Sequence, residues 1–313
     1  TAITGVTAST FSQVSVWKKR LFFVQKNSLS CWYLAVGAIG GAAQQLDFSG
    51  VAKLGGYLIA TYTSTSTAGF TLDDYFVAIT SEGECLVYQG TDPANASTFS
   101  LVGNYRLARP IANGADNMGG RWLAKYASDI IAITADGLTT LQAVMNDDVI
   151  AQQATINRKI TNSVTQAVSS YYANFGWQAL LCPMQNKLII NVPTSPDNTQ
   201  SFQFVMNTIT GAWTKFIGWN ATCFEYFSDN IYAIIGNKIY QMDVPAINDY
   251  VISGSFNGNP IIANAKSAFV YAGGREQNKS FKMARPMLIT KQGIAPYFNI
   301  NVNLRDDAIT GAA

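Results

Sequence analysis

The stretch DYFVAITSEGECLVYQ, residues 74–89, decides the fold. Two apolar runs rich in β-branched and aromatic residues flank Ser81-Glu82-Gly83. Two such runs joined by a short glycine-containing break are a β-hairpin signal. The same design recurs at 130–142, IIAITADGLTTLQ, around Ala135-Asp136-Gly137, and the string Ala-Ile-Thr-x-x-Gly appears at both 78–83 and 132–137. Residues 231–241, IYAIIGNKIYQ, turn at Gly236-Asn237, and residues 21–34, LFFVQKNSLSCWYL, turn near Lys26-Asn27-Ser28. Residues 187–206 give a fifth hairpin with a longer loop from Thr194 to Thr199.

These hairpins begin near residues 21, 76, 130, 187 and 231, spaced by 55, 54, 57 and 44 residues. A period of about 40–55 residues with several strands per unit is the mark of a β-propeller. One unit cannot bury both of its faces alone, so units of this kind stack. The expectation is an all-β chain: a β-propeller over residues 1–245 with five visible blade-like repeats, incomplete at its N-terminus, followed by a C-terminal β extension over 246–313. The extension would close the ring or form a subunit interface, with strands at 266–272, 280–290 and 296–304. A large sandwich or barrel with irregular repeats is the alternative.

One segment departs from the β pattern. Between Asn146 and Tyr171, apolar Ile156, Ile160, Val164, Ala167, Val168 and Tyr171 recur at helical spacing, and Asn146, Asp147 and Asp148 suit a helix N-terminus. The pattern predicts one amphipathic helix inserted over about 146–171, its stripe facing the β core or a neighbouring subunit.

Composition excludes more than it proposes. Of 313 residues, 13% are charged and none is histidine, while Ser, Thr, Asn and Gln total 88. A globular chain ordinarily carries about 25% charge, so this surface is mostly neutral and polar. Without imidazole there is no Ser-His-Asp or Cys-His nucleophile, no His-ligated zinc and no histidine base. Cys31, Cys85, Cys182 and Cys223 form no Cys-x-x-Cys pair and read as buried reduced thiols, which fits cytosolic folding better than secretion. No Gly-x-x-x-x-Gly-Lys-Ser/Thr loop or calcium loop occurs. The acidic pairs Asp73-Asp74, Asp147-Asp148 and Asp306-Asp307 place adjacent side chains on opposite strand faces, which does not build a two-carboxylate site. No catalytic, cofactor or metal residue is assigned, and the chain is not expected to be an enzyme.

No apolar run reaches the ~18 residues that a bilayer-spanning helix needs. No signal peptide is visible, and a chain beginning at Thr1 implies an N-terminal part that was removed or lies outside this sequence. Net charge is only +2, too little for tight non-specific DNA binding. Basic residues cluster at Lys18-Lys19-Arg20 and again at Lys266, Arg275, Lys279, Lys282, Arg285 and Lys291. Each cluster is either a solvated strand edge or a phosphate-facing DNA-channel or interface surface.

A series of motifs, in order, resembles the tail-hub or nozzle proteins of short-tailed bacteriophages (the podovirus type), described as stabilising packaged DNA. They are Ile3-Thr4-Gly5-Val6, Trp17 to Val24, Trp32-Tyr33-Leu34, Gly40-Gly41-Ala42, Gly55-Gly56-Tyr57, SEGECLVYQGTDP at 81–93, Ala108-Arg109-Pro110, Asp136-Gly137-Leu138 and Lys282-Met283-Ala284-Arg285-Pro286. The likeness spans about residues 3–305. It implies a virion protein assembled in the bacterial cytoplasm into a hexameric ring below the portal and adaptor. Such a ring encloses the DNA exit channel, retains packaged double-stranded DNA until ejection, and offers a platform for tail fibres or a needle. The resemblance also implies further propeller strands ahead of Ile3, and carries no catalytic motif or cofactor. A glycan-binding or glycan-cleaving propeller acting on the host envelope is the alternative, its 15 Tyr and 6 Trp supplying sugar-stacking surfaces. A soluble scaffold propeller is a third reading.

Overall fold

The computed structural model describes residues 2–68, 71–111, 121–126, 129–145, 160–197, 199–243, 248–249, 259–260 and 264–266, together with 280, 282, 283, 285, 287, 297 and 300. The chain divides into two compact units, Thr1–Val244 and Pro245–Ala313.

The first unit is a run of antiparallel meanders. Strands β1 (Ile3–Thr4) and β5 (Gly41–Ala42) form a short parallel pair. The first sheet has the order β2 (Phe11–Trp17), β3 (Arg20–Gln25), β4 (Ser30–Tyr33) and β6 (Gln44–Asp47). The second is β7 (Leu58–Ala68), β8 (Thr71–Thr80), β9 (Glu84–Gly90) and β10 (Phe99–Arg106). A three-stranded third sheet follows, β11 (Leu123–Tyr126), β12 (Asp129–Thr134) and β13 (Gly137–Thr140). The fourth is β14 (Gln178–Cys182), β15 (Lys187–Pro193), β16 (Ser201–Asn207) and β17 (Trp213–Ile217), and the fifth is β18 (Cys223–Phe227), β19 (Asn230–Ile235) and β20 (Lys238–Met242). The chain is therefore all-β in class, with few helices. Each expected hairpin is an observed antiparallel pair: β3–β4, β8–β9, β12–β13, β15–β16 and β19–β20.

Short turns set these registers. Trp17 pairs with Arg20, which leaves only Lys18 and Lys19 in the loop, with φ of 45° and 60°. Two left-handed central residues match the right-handed twist of the flanking strands, as in a type I′ hairpin. Ser228 and Asp229 repeat this between β18 and β19, with φ of 48° and 64°.

The sheets pack in chain order. β2 and β3 lie on β7, β7 on β12, β11 and β12 on β14, and β14 on β18. Between the first two sheets lies an aromatic core of Trp17, Phe22, Phe48, Phe76 and Phe99. Trp17 meets Phe22, Phe76 and Phe99 edge-on at 5.6–6.0 Å between ring centroids, the arrangement that the ring quadrupole favours. The opposite face of the second sheet contributes Ile59, Val77, Ile79 and Val87 to the largest core, together with Ile131 and Ile133 of the third sheet and Leu188 and Ile190 of the fourth. The other face of the fourth sheet packs Ile189 and Val205 on Phe224, Ile231 and Ala233 of the fifth. Fully burying a side chain of this size contributes about 1.5–3 kcal/mol.

The expected helix is found at its C-terminal end, as α2 (Thr161–Tyr171), preceded by the short α1 (Leu141–Met145). Val164, Ala167 and Val168 are buried in the core, so the stripe faces the sheets. Ile156 and the acidic start at 146–148 lie outside the described residues. In the second unit, β21 (Asn248–Asp249) and β22 (Asn259–Pro260) pair antiparallel. Of the expected strands at 266–272, 280–290 and 296–304, Lys266, Ser280, Lys282, Met283, Arg285, Met287, Tyr297 and Ile300 are in no strand, and the rest of those segments lies outside the described residues.

Candidate functional site

The basic trio of the first hairpin is largely committed to acids of the second sheet. The Lys18 ammonium lies 3.3 Å from the Asp74 carboxylate, and the Arg20 guanidinium 3.0 Å from Asp92. Arg20 also donates to the Leu34 carbonyl and stacks over the Tyr33 ring at 5.8 Å. Burial, reinforced by the Asp92 charge, pushes the Tyr33 phenol above its usual pKa, against the opposing pull of Arg20. Among the described residues Lys19 makes no ion pair. Two of the three cations thus already face carboxylates. Lys266, Lys282 and Arg285 are exposed, while Arg275 and Lys279 lie outside the described residues.

The structure brings together a different set of residues, drawn from the first strands of three sheets. Gln13, Val14, Ser15 and Val16 of β2, Tyr62 and Thr63 of β7 and Lys125 of β11 line an open depression of about 350 Å³. Its walls are held by side-chain bonds between β2 and β7. The Ser15 and Thr61 hydroxyls are 2.7 Å apart, and the Thr63 hydroxyl donates to the Val16 carbonyl at 2.9 Å. The Gln13 amide grips the Thr61 backbone at both ends: its nitrogen donates to the Thr61 carbonyl at 3.2 Å, and its oxygen accepts from the Thr61 N–H at 2.7 Å. Burial raises the Tyr62 phenol pKa, so the ring stays neutral. The lining is uncharged except for exposed Lys125. It can offer hydroxyl and amide hydrogen bonds and one cation, and it contains no nucleophile paired with a base. Sequence inspection missed these residues, because Gln13 and Thr61 are 48 positions apart and neither carries a motif.

Among the described residues, no group of three or more Cys, Asp or Glu side chains is close enough to hold a metal ion. Cys31, Cys85 and Cys182 are buried free thiols and Cys223 is half-buried. Burial pushes the Cys85 and Cys182 thiols up to about 12, and Cys31 higher still. Among the described residues, no helix is long and apolar enough to cross a membrane.

Among the described residues the most deeply held charge is Glu84, 3% exposed, inside the SEGECLVYQ segment. Its carboxylate accepts from the Lys53 and Leu54 backbone N–H groups, both at 2.8 Å, and from the Asn104 amide at 2.9 Å. Burial alone would raise its pKa, but these donors outweigh that and hold it below the usual glutamate value. Glu84 thus fastens the 51–57 loop to the second sheet, which is structural work.

No protein-family model matches the chain. No curated protein matches it either. Among solved structures, the complex of the fission yeast SREBP-SCAP binding domains is similar over 83% of this chain and 68% of that one, at 11% identity and a TM-score of 0.37. A likeness of that size supports no conclusion about fold or function.

Proposed function

We propose that the chain is a structural subunit of a short phage tail. In this reading it is a β-propeller protein that forms a nozzle or hub ring around the DNA exit channel, retains packaged DNA and lets it pass at ejection. The ordered series of motifs shared with tail-hub and nozzle proteins carries the proposal. Several of those motifs occupy positions that shape the fold. Trp17 to Arg20 is the tight turn that seats Trp17 in the aromatic core, and Ser81 to Gly90 contains the Glu84 fastening and the β9 strand. Meanders that follow one another with their first strands in succession are compatible with propeller blades.

The electrostatics are consistent with this role. Each phosphate neutralised by Lys or Arg strengthens DNA binding, so a wall past which DNA slides needs few free cations. Lys18 and Arg20 are already paired with Asp74 and Asp92. The proposed partners are further copies of the chain, portal and adaptor proteins above, fibres or a needle, and double-stranded DNA. The proposed location is the virion tail, after assembly in the host cytoplasm. Labelling the protein in purified virions and imaging them tests the reading; its absence from the tail overturns it.

The hydroxyl- and amide-lined depression beside Tyr62, uncharged but for Lys125, favours the second reading, glycan binding. Titration with host-envelope polysaccharide, followed by measurement of binding and of released reducing ends, decides it. Neither binding nor cleavage retires it.

A further inference from the structure

Two hydrogen-bond donors that line the depression between β2, β7 and β11 have no partner in the chain. Most of its other polar groups are bonded to one another. The Gln13 amide is joined to the Thr61 backbone, the Ser15 hydroxyl lies against the Thr61 hydroxyl, and the Thr63 hydroxyl donates to the Val16 carbonyl. Among the described residues, the Tyr62 hydroxyl makes no hydrogen bond, and the Lys125 ammonium makes neither a hydrogen bond nor an ion pair. No carboxylate lines the depression. Burial keeps the Tyr62 phenol protonated, so at neutral pH it donates and carries no charge that would oppose an anion.

We propose that this depression binds a carboxylate-bearing sugar unit of an acidic polysaccharide, with the Lys125 ammonium and the Tyr62 hydroxyl donating to the carboxylate. The proposal rests on the glycan reading above and narrows it to acidic chains. A lone cation without a counter-ion is complementary to an anion, and its charge-assisted bond to a carboxylate is stronger than a neutral hydrogen bond. The lone pairs that the Thr63 oxygen keeps after donating to Val16 can accept from sugar hydroxyls. Exposed Val14 and Val16 offer an apolar surface to the C–H face of a sugar ring. The volume, about 350 Å³, falls at the small end of ligand sites, and the open form lets a longer chain enter and leave. Nucleic acid fits less well. Its phosphates are held by arrays of Lys and Arg, whereas one lysine and no arginine line this site.

The test titrates the full chain by calorimetry with an oligogalacturonate, with the methyl ester of the same oligosaccharide, and with a DNA duplex. Esterification keeps the sugar rings and removes their charge. The acid is expected to bind about tenfold or more tightly than the ester. Lys125→Met alters an exposed position and is expected to abolish that preference. Tyr62→Phe keeps the ring and is expected to weaken binding of the acid about fivefold. Circular dichroism verifies that both variants fold. Equal binding of acid and ester, or a preference that survives Lys125→Met, overturns the carboxylate assignment and leaves the glycan reading standing. Failure of both oligosaccharides to bind overturns the assignment, and titration with envelope polysaccharide then decides the glycan reading by itself. Duplex binding that is tighter than oligogalacturonate binding and is lost in Lys125→Met overturns it in favour of a phosphate site.

Discussion

Gln178 holds Phe224 at both backbone positions: its amide nitrogen donates to the Phe224 carbonyl at 2.7 Å, and its amide oxygen accepts from the Phe224 N–H at 2.8 Å. Gln178 lies on β14 and Phe224 on β18, the first strands of the fourth and fifth sheets. Gln13 on β2 does the same to Thr61 on β7. The first strand of a sheet has one edge with unpaired N–H and C=O groups, and buried groups of that kind must find partners. A glutamine amide carries one donor and one acceptor at the spacing of a peptide group, so it substitutes for a neighbouring strand. The junction is completed by Asn191, which donates to the Gly176 and Ala221 carbonyls, and by Gln203, which donates to Asn191.

Replacing Gln178 by Met keeps the volume and leaves both Phe224 backbone groups buried without partners. The expected loss is about 2–6 kcal/mol, from a penalty of ~1–3 kcal/mol for each of the two orphaned groups. Gln13→Met is expected to lose less, because its surroundings are only partly buried. Urea unfolding of the two variants beside wild type measures both, and equal stabilities would refute the clamp as a stabilising device.

Glu84 makes stability depend on acid. Its folded-state pKa lies below its unfolded one, so its contribution is complete above the ordinary glutamate range and is lost as pH falls through the lower, folded value. Glu84→Gln removes this dependence and turns an amide N–H₂ toward the N–H donors of the 51–57 loop, at an expected loss of about 1–3 kcal/mol at neutral pH. Unfolding free energies of both proteins between pH 3 and 7 should converge toward the acid end. Parallel curves would argue against it.

The thiols should separate by exposure. Cys31, Cys85 and Cys182 are buried with raised pKa values, so little reactive thiolate forms at pH 8, whereas Cys223 is half-buried. Titration of the native protein with a disulfide reagent is expected to modify one thiol rapidly and the remainder only in denaturant. Cys223→Ser should abolish the rapid phase. A rapid phase that survives in that variant contradicts the burial pattern.

Lys19 occupies a left-handed position with φ of 60° and makes no ion pair among the described residues. A non-glycine residue there carries strain of roughly 1–2 kcal/mol. Lys19→Gly is expected to raise stability by about 1 kcal/mol, seen as a higher urea midpoint with an unchanged slope. No gain would show that the lysine side chain offsets the strain by contacts of its own.

The five hairpins were legible in the sequence because each joins strands that are neighbours along the chain, and apolar β-rich runs on either side of Gly236-Asn237 or Ser81-Glu82-Gly83 report on both strand and turn. The stripe of Val164, Ala167 and Val168 likewise exposed helix α2. The first strands were harder to read. β18, Cys223–Phe227, carries aromatic residues on both faces, and β7 has a polar run of Thr and Ser.

What the sequence by itself determined is the all-β class, the repeating hairpins and the absence of histidine chemistry, since these rest on side-chain type and near-neighbour spacing. Tertiary structure alone decided that Lys18 and Arg20 face Asp74 and Asp92, that Gln13 and Gln178 tie one sheet to the next, and that Val14 and Ile239 are exposed. Each depends on which sheet packs on which. Lys18 meets Asp74 across 56 positions of chain, and Gln178 meets Phe224 across 46. Local propensity carries no information over such spans; burial of the apolar faces brings those residues together.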